Sequence, residues 1–191
     1  MTDNHVTEKN KANWDSYSHA YLRFKHSEKV IQRIVEDPSR AFECETWVQL
    51  RRCFPDLRGK RVCVPSSGDN YAVIALALLG AQVTSCDISP KQLAAGQRLA
   101  EQLGLQITFV EADTMQLSPL ADNAFDLVYT STGVHVWLND LPAMYRNVNR
   151  ILKAGGVYIM CDVHPFQRPF GENLKVVKPY EHVGPFEDEY S

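Results

Sequence analysis

The sequence predicts an open α/β sheet, with parallel strands covered by helices on both faces and a helical segment ahead of it. Three observations carry this prediction. Five short runs rich in β-branched and aromatic residues begin at Arg61, and they are apolar at consecutive positions, as in strands buried on both faces. Helical patterns separate most of these runs, and strand alternating with helix implies right-handed crossovers within one sheet. The first third, by contrast, carries its apolar residues at helical spacing.

The runs are RVCVPSS (61–67), QVTSCDI (82–88), ITFVEAD (107–113), FDLVYTST (125–132) and VYIMCDV (157–163). Asn70 is positioned to cap a helix that ends at Gly80. Ser89-Pro90-Lys91-Gln92 reads as a capping box with proline at the first helical position. It opens a helix carrying Leu93, Leu99, Ala100 and Leu103 that stops at Gly104. Residues 114–124 predict a short helix or loop. Leu141, Met144, Tyr145, Val148, Ile151 and Leu152 mark a third helix, ended by Gly155-Gly156. Upstream, Trp14, Tyr17, Tyr21 and Phe24 predict a helix with one aromatic face. Val30, Ile31, Ile34 and Val35 mark the next helix, stopped by Pro38, and Phe42, Trp47, Val48 and Phe54 a further segment before Pro55.

Composition bounds the function. The 191 residues suggest one domain with an appended segment, at roughly 150 residues per domain. Apolar residues make up 45% and charged residues 23%, proportions of a globular protein. The 20 Lys+Arg against 23 Asp+Glu give a net charge of −3, which argues against a general binder of nucleic-acid backbones. The longest apolar run, Ala72 to Ala81, falls short of the about 20 residues that cross a bilayer. The polar first residues lack the apolar core of a secretion signal. We therefore expect a cytoplasmic protein with no membrane or nucleic-acid partner, a monomer or homodimer. Cys44, Cys53, Cys63, Cys86 and Cys161 show no CxxC pair and read as packing residues, with no metal site expected. A GxxxxGK[ST] phosphate loop is absent from the sequence, which excludes a P-loop nucleotidase.

Sheets of this kind bind ligands beyond the carboxyl ends of their strands, so the strand ends form one candidate site. The first run ends in Pro65-Ser66-Ser67-Gly68-Asp69-Asn70, where Gly68 lets backbone approach a ligand and the helix start attracts anionic groups. Asp87 follows Gly68 by 19 residues, the separation at which a carboxylate holds a ribose diol. Asp113, followed by Thr114-Met115, ends the third run; it could accept from an exocyclic amine while the apolar neighbour packs on a ring. Thr130-Ser131-Thr132-Gly133 closes the fourth. His135 and His164, after the fourth and fifth runs, are candidate acid–base groups facing an acceptor. Singly, each Asp could equally be a turn former or helix cap. Their joint placement after consecutive strands is the stronger signal.

On these residues the chain resembles the class I S-adenosylmethionine-dependent methyltransferases over about residues 12–165. GAQVTSCDISPKQLAAGQ (80–97) is similar to the family's second strand, ribose-binding acid and following helix. VEADTMQLSPLADNAFDLVYT (110–130) resembles its adenine-binding acid and fourth strand, and LPAMYRNVNRILKAGGVYIM (141–160) its "RVLKPGG" helix-loop-strand. The resemblance implies a Rossmann-like doubly wound parallel sheet of order 3-2-1-4-5. It also implies S-adenosyl-L-methionine as cofactor, and the negative net charge without a basic groove or aromatic stacking array points to a small-molecule methyl acceptor. Ser66, Ser67, Gly68 and Thr130 would line the methionine portion, with Asp69 facing its ammonium. Asp87 would hold the ribose, Ile88 would pack on adenine, and Asp113, Thr114 and Met115 would meet the adenine amine and ring. Residues 1–58 would be a helical extension whose Trp14, Tyr17 and Tyr21 form a lid. Residues 59–165 would be the cofactor-binding core, and 166–191 an irregular tail.

Two departures from the family pattern stand out. The usual acidic-x-Gly-x-Gly-x-Gly loop is here Val64-Pro65-Ser66-Ser67-Gly68-Asp69-Asn70, similar to a methyltransferase subgroup with a Pro-Ser-Ser-Gly-Asp-Asn loop. The usual C-terminal antiparallel strand pair has no counterpart: Pro165, Pro169, Pro179 and Pro185 interrupt the tail, and proline is excluded from interior strands. A truncated form of a longer protein, with an exposed fifth strand, is expected. Two alternatives stay open: a non-catalytic methyltransferase-like domain, and a nicotinamide-dependent oxidoreductase, for which GxGxxG is missing and Asp113 has no clear part.

Overall fold

Val62 and Val64 turn to one side of the central strand and Cys63 to the other, and all three are buried. That two-sided burial sets the architecture in the computed structural model, which describes residues 4–43, 45–167 and 169–181. Strand β1 (Arg61–Pro65) is followed by β2 (Gln82–Asp87), β3 (Ile107–Glu111), β4 (Phe125–Thr130) and β5 (Leu152–Met160). They form one parallel sheet of order β3-β2-β1-β4-β5, so the order reverses beside β1, where a crevice opens at the strands' carboxyl ends.

Helices α1 (Asn4–Lys25), α2 (Glu28–Glu36) and α3 (Thr46–Cys53) precede the sheet; α4 (Tyr71–Leu78), α5 (Pro90–Gln102) and α6 (Leu141–Ile151) are its crossovers. One face of the sheet packs Ile31, Ile34, Leu50, Ile74 and Leu76 against Val62, Leu127 and Tyr129. The other packs Met144, Val148, Ile151 and Leu117 against Cys63, Cys86 and Val128. Residues 114–124 form turns without a helix. Cys53, Cys63, Cys86 and Cys161 are free thiols; Cys44 lies outside the described residues. No helix among the described residues is long and apolar enough to cross a membrane.

Three local expectations are corrected. The fifth strand begins at Leu152 rather than Val157, because Leu152 already pairs with Phe125 and a bulge through Gly155-Gly156 restores register at Leu127–Val157. The aromatic stripe of α1 splits: Trp14 and Tyr21 turn inward, whereas Tyr17 is 51% and Phe24 76% exposed. Asn70 does not cap α4, since its own backbone is left-handed at φ 62° and its amide turns back to Gly68 O; Asp69 Oδ1 accepts from Tyr71 N instead, at 3.1 Å. Among the described residues β5 is a sheet edge, with Met160 exposed and an isolated antiparallel bridge between Phe170 and Val176 further on.

Gly96 lies where α5 passes over Asn70. A Cβ there would meet the Asn70 side chain at 2.8 Å, and Asn70 is buried and fixed by Ser85 Oγ and Gly68 O. Glycine-to-alanine ordinarily stabilises a helix by about 1 kcal/mol. Here overpacking reverses the sign, and Gly96→Ala is expected to destabilise by about 1–3 kcal/mol in urea melts. In an Asn70→Ala background the same change should cost less or stabilise; an equal cost in both backgrounds would contradict the contact.

Candidate functional site

A crevice of about 300 Å³ opens at the carboxyl ends of β1, β2, β3 and β4 and is closed on one side by α1. Its first wall is the loop after β1. Ser66, Gly68 and Asn70 all have left-handed backbones, with φ of 49°, 52° and 62°. These are the three positions at which the resembled loop carries glycine, so two of the residues differ while the backbone conformation that glycine favours is kept at all three. Asn tolerates that conformation, and Ser66 is held in it by a 2.8 Å bond between its hydroxyl and that of Thr114. Behind the loop, the Ser85 hydroxyl bridges Ser67 Oγ and Asn70 Oδ1, 2.9 Å from each.

Asp87 ends β2 and is 7% exposed. Oδ2 accepts from Gly68 N at 3.1 Å and Oδ1 from Ser89 N at 2.9 Å. Burial pushes its pKa up, and these backbone donors act against that shift. Because Asp87 takes the Ser89 N–H, the predicted capping box closes on one side only. Ser89 Oγ accepts from Gln92 N at 3.2 Å, and the Gln92 side chain has nothing to return to. Gln92 is 1% exposed, lines the crevice, and neither atom of its amide has a partner among the described residues. A buried, unpaired amide costs about 1–3 kcal/mol, so this group is one a polar ligand would satisfy.

Asp113 lies across the crevice, its Oδ1 accepting from Met115 N at 2.8 Å. Asp69 also faces inward; burial raises its pKa, opposed by Tyr71 N and by Lys25, whose Nζ is 3.6 Å from Oδ2. Lys25 also stands 5.6 Å from the centre of the Tyr21 ring and 5.5 Å from that of Tyr71, and burial raises the pKa of both phenols. Trp14 packs edge-on to Tyr21 at 5.7 Å and to Trp137 at 5.2 Å, tying α1 to the loop after β4. Asn10 Nδ2 donates to Trp137 O at 2.8 Å, and Lys11 pairs with Glu111.

Of the residues singled out in the sequence, Tyr21, Ser66, Ser67, Gly68, Asp69, Asp87, Ile88, Asp113, Thr114 and Met115 line this one crevice. Three do not. Thr130 is fully buried with its hydroxyl 2.8 Å from Tyr158 Oη, because strand alternation turns it away and brings Ser131 to the crevice instead; burial pushes the Tyr158 pKa up to about 12. His135 backs the loop rather than lining it: Nδ1 lies 2.5 Å from Asp162 Oδ2 and Nε2 2.9 Å from Tyr145 Oη. His164 accepts from Phe166 N at 3.1 Å through Nδ1 and is likewise not in the lining. Gln92, Lys25, Glu43 and Trp137 line the crevice without having been singled out for it. Only Trp137, an aromatic just past the fourth strand, gave a readable signal. Among the described residues no group of three His, Cys, Asp or Glu side chains has metal-binding geometry.

The loop after β4 is latched by Asp162, whose carboxylate accepts from Gly133 N at 3.1 Å and His135 N at 2.9 Å. Asp162→Asn keeps the size but loses the charge that makes these bonds strong. Amide exchange at Gly133 and His135 should accelerate by roughly 10-fold or more, for a loss of about 1–3 kcal/mol. Unchanged protection at both amides would remove Asp162 as the latch.

The comparisons agree with this geometry. The family described as "methyltransferase domain" matches residues 65–160. The uncharacterized methyltransferase YbaJ of Bacillus subtilis is 31% identical over 71% of this chain and 53% of its own length. Demethylmenaquinone methyltransferase of Thermus thermophilus is 32% identical over 52% of this chain and 44% of its own. The crystal structure of an S-adenosylmethionine-dependent methyltransferase from Mesorhizobium loti superposes with a TM-score of 0.57 at 28% identity, covering 66% of this chain and 57% of that one. The chain thus spans about half the length of the curated relatives it matches. With a family match across half the sequence, and a crevice built at the strand ends where that fold carries its site, the chain belongs to the methyltransferase domain family.

Proposed function

We propose that the crevice binds S-adenosylmethionine and that the protein transfers its methyl group to a small molecule. The observation that carries this reading is the convergence of Asp87 and Asp113, from the ends of two neighbouring strands, on one crevice. Their separation on two strands suits the two ends of a nucleoside: Asp87 accepting from ribose hydroxyls and Asp113 from an adenine amine, with Ile88 and Met115 against the ring. The unpaired Gln92 amide in the same lining is a further donor and acceptor for the sugar edge.

The charge of the lining supports the same ligand. Four carboxylates (Glu43, Asp69, Asp87 and Asp113) face one lysine, Lys25, an excess that favours a cation over a dinucleotide's phosphates. Asp69 and the Ser66–Gly68 backbone suit an amino-acid portion, and Trp14, Tyr21 and Trp137 offer aromatic faces to a positive centre. The Pro-Ser-Ser-Gly-Asp-Asn loop is read as a functional variant, since its backbone keeps the left-handed turns of the glycine form.

When bound, the cofactor supplies an activated methyl on a good leaving group. The protein's own part is alignment, which can carry most of the acceleration in such a displacement. In this reading the segment Ser131–Val134 forms the acceptor side. Asp162 and His135 hold that segment from behind, so His135 is a positioning residue rather than a base in contact with the acceptor. Residues 4–25 act as the lid, with Trp14 and Tyr21 excluding water.

Calorimetry is expected to detect S-adenosylmethionine and S-adenosylhomocysteine but not NAD. Asp87→Ala and Asp87→Asn should each weaken binding by about 1.5–3 kcal/mol, the scale of hydrogen bonds to a charged group, or roughly 10- to 150-fold. The Asn variant guards against loss of fold, checked by its melting curve. Binding should also weaken as pH falls: Asp69 and Asp87 titrate above the usual carboxylate range, protonation removes the acceptor charge, and a cationic ligand prefers the ionised forms. Affinity for NAD alone, or affinity indifferent to both Asp87 variants, would overturn the proposal.

A further inference from the structure

Outside the crevice, α1 and α5 face one another across an open groove of about 610 Å³. His19 and Arg23 lie one turn apart on α1, with His26 just past its C-terminal end; Lys91 and Arg98 each lie about one turn from Ala95, on either side of it, on the facing stripe of α5. Such spacings place side chains on one helix face. The floor between the stripes is apolar, made by Leu22, Ala95 and Leu99. Among the described residues no acidic side chain lines the groove.

The cations here behave unlike the others on the same helix. Lys11 is paired with Glu111 and Lys25 with Asp69. Arg23, Lys91 and Arg98 have no ion pair among the described residues. Three unpaired cationic side chains turned toward one groove repel each other and leave strong donors to water, in a chain whose net charge is −3. An anion in the groove removes the repulsion, and guanidinium forks match phosphate oxygens in particular.

We infer that the groove between α1 and α5 is a binding site for a small phosphate-bearing ligand, with the phosphate held by Arg23, Lys91 and Arg98 and a carbon portion on the Leu22–Leu99 floor. A nucleic-acid polymer calls for a spread of positive surface, which the negative net charge does not supply; a single cationic groove with an apolar floor suits a compact ligand. The groove is distinct from the crevice, yet shares α1 with it. Trp14 and Tyr21 turn from α1 into the crevice, and His26 Nε2 is 2.7 Å from the carbonyl oxygen of Asp69. An anion bridging α1 and α5 therefore holds the lid helix against the sheet.

The test is titration of the full chain with inorganic pyrophosphate at low ionic strength, followed by amide NMR. Saturable shifts confined to residues 19–26 and 91–98 are expected. Arg98→Gln and Arg98→Glu should each weaken binding by roughly 10-fold or more, whereas Arg52→Glu, an exposed charge reversal on α3, should leave it within about 2-fold. Shifts without saturation, or equal weakening by Arg52→Glu, would overturn the site as a non-specific charge effect. Phosphatidylserine vesicles and a single-stranded oligonucleotide form the remaining arms. Binding to either of these with pyrophosphate silent would overturn the small-ligand assignment.

Discussion

Asp87 is a carboxylate taken out of water at the end of an interior strand, and its desolvation has to be offset by donors placed there in advance. Those donors are the N–H groups of Gly68 and Ser89. One belongs to the turn after β1 and the other to the start of α5, so a single side chain fixes the separation of the two segments that frame the crevice. The left-handed turns at Ser66, Gly68 and Asn70 bring the Gly68 N–H to the carboxylate. The same bond at Ser89 leaves Gln92 without its capping partner and free for a ligand. Burial raises the acid's pKa, and the two backbone donors act against that shift.

Much of this was legible in the sequence because the signals were local and repeated. Runs such as Val62-Cys63-Val64 and Leu127-Val128-Tyr129 are apolar on both faces, which only an interior parallel strand requires, and chain order with right-handed crossovers then places Asp87 and Asp113 on one edge. What was not legible depended on partners distant in the chain. The Ser89–Gln92 pattern is the same whether or not the box closes; the outcome turned on Asp87 competing for the Ser89 N–H. Trp14, Tyr17, Tyr21 and Phe24 share a helical spacing, and Trp137, more than a hundred residues away, selects Trp14 and Tyr21 as the inward pair. Leu152-Lys153-Ala154 has little strand character and is drawn into β5 by Phe125 opposite. Histidine beyond a strand end suggested chemistry at His135, where Asp162 and Tyr145 instead occupy both ring nitrogens.

Helix α1 links the two sites proposed above. Its inner stripe completes the crevice through Trp14 and Tyr21, its outer stripe forms the cationic groove with α5, and its C-terminal end meets Asp69 through Lys25 and His26. The ion pairs at Lys11 and Lys25 are partly exposed and contribute modestly, on the order of 0–1 kcal/mol each. Packing of Trp14 against Trp137 and Tyr21 is then the larger share of what holds the helix down. A helix held this lightly can be biased by a ligand that touches both α1 and α5.

The most direct measurement separates the two carboxylates by what each is said to hold. Adenosine and 2′,3′-dideoxyadenosine differ only at the ribose hydroxyls, so their affinities for Asp87→Ala and Asp113→Ala chains form a double cycle. With Asp87 on the sugar and Asp113 on the base, Asp87→Ala weakens adenosine by a much larger factor than the dideoxy analogue, whereas Asp113→Ala weakens both by a similar factor. If the two substitutions affect both nucleosides alike, or affect neither, the two acids do not grip opposite ends of one nucleoside.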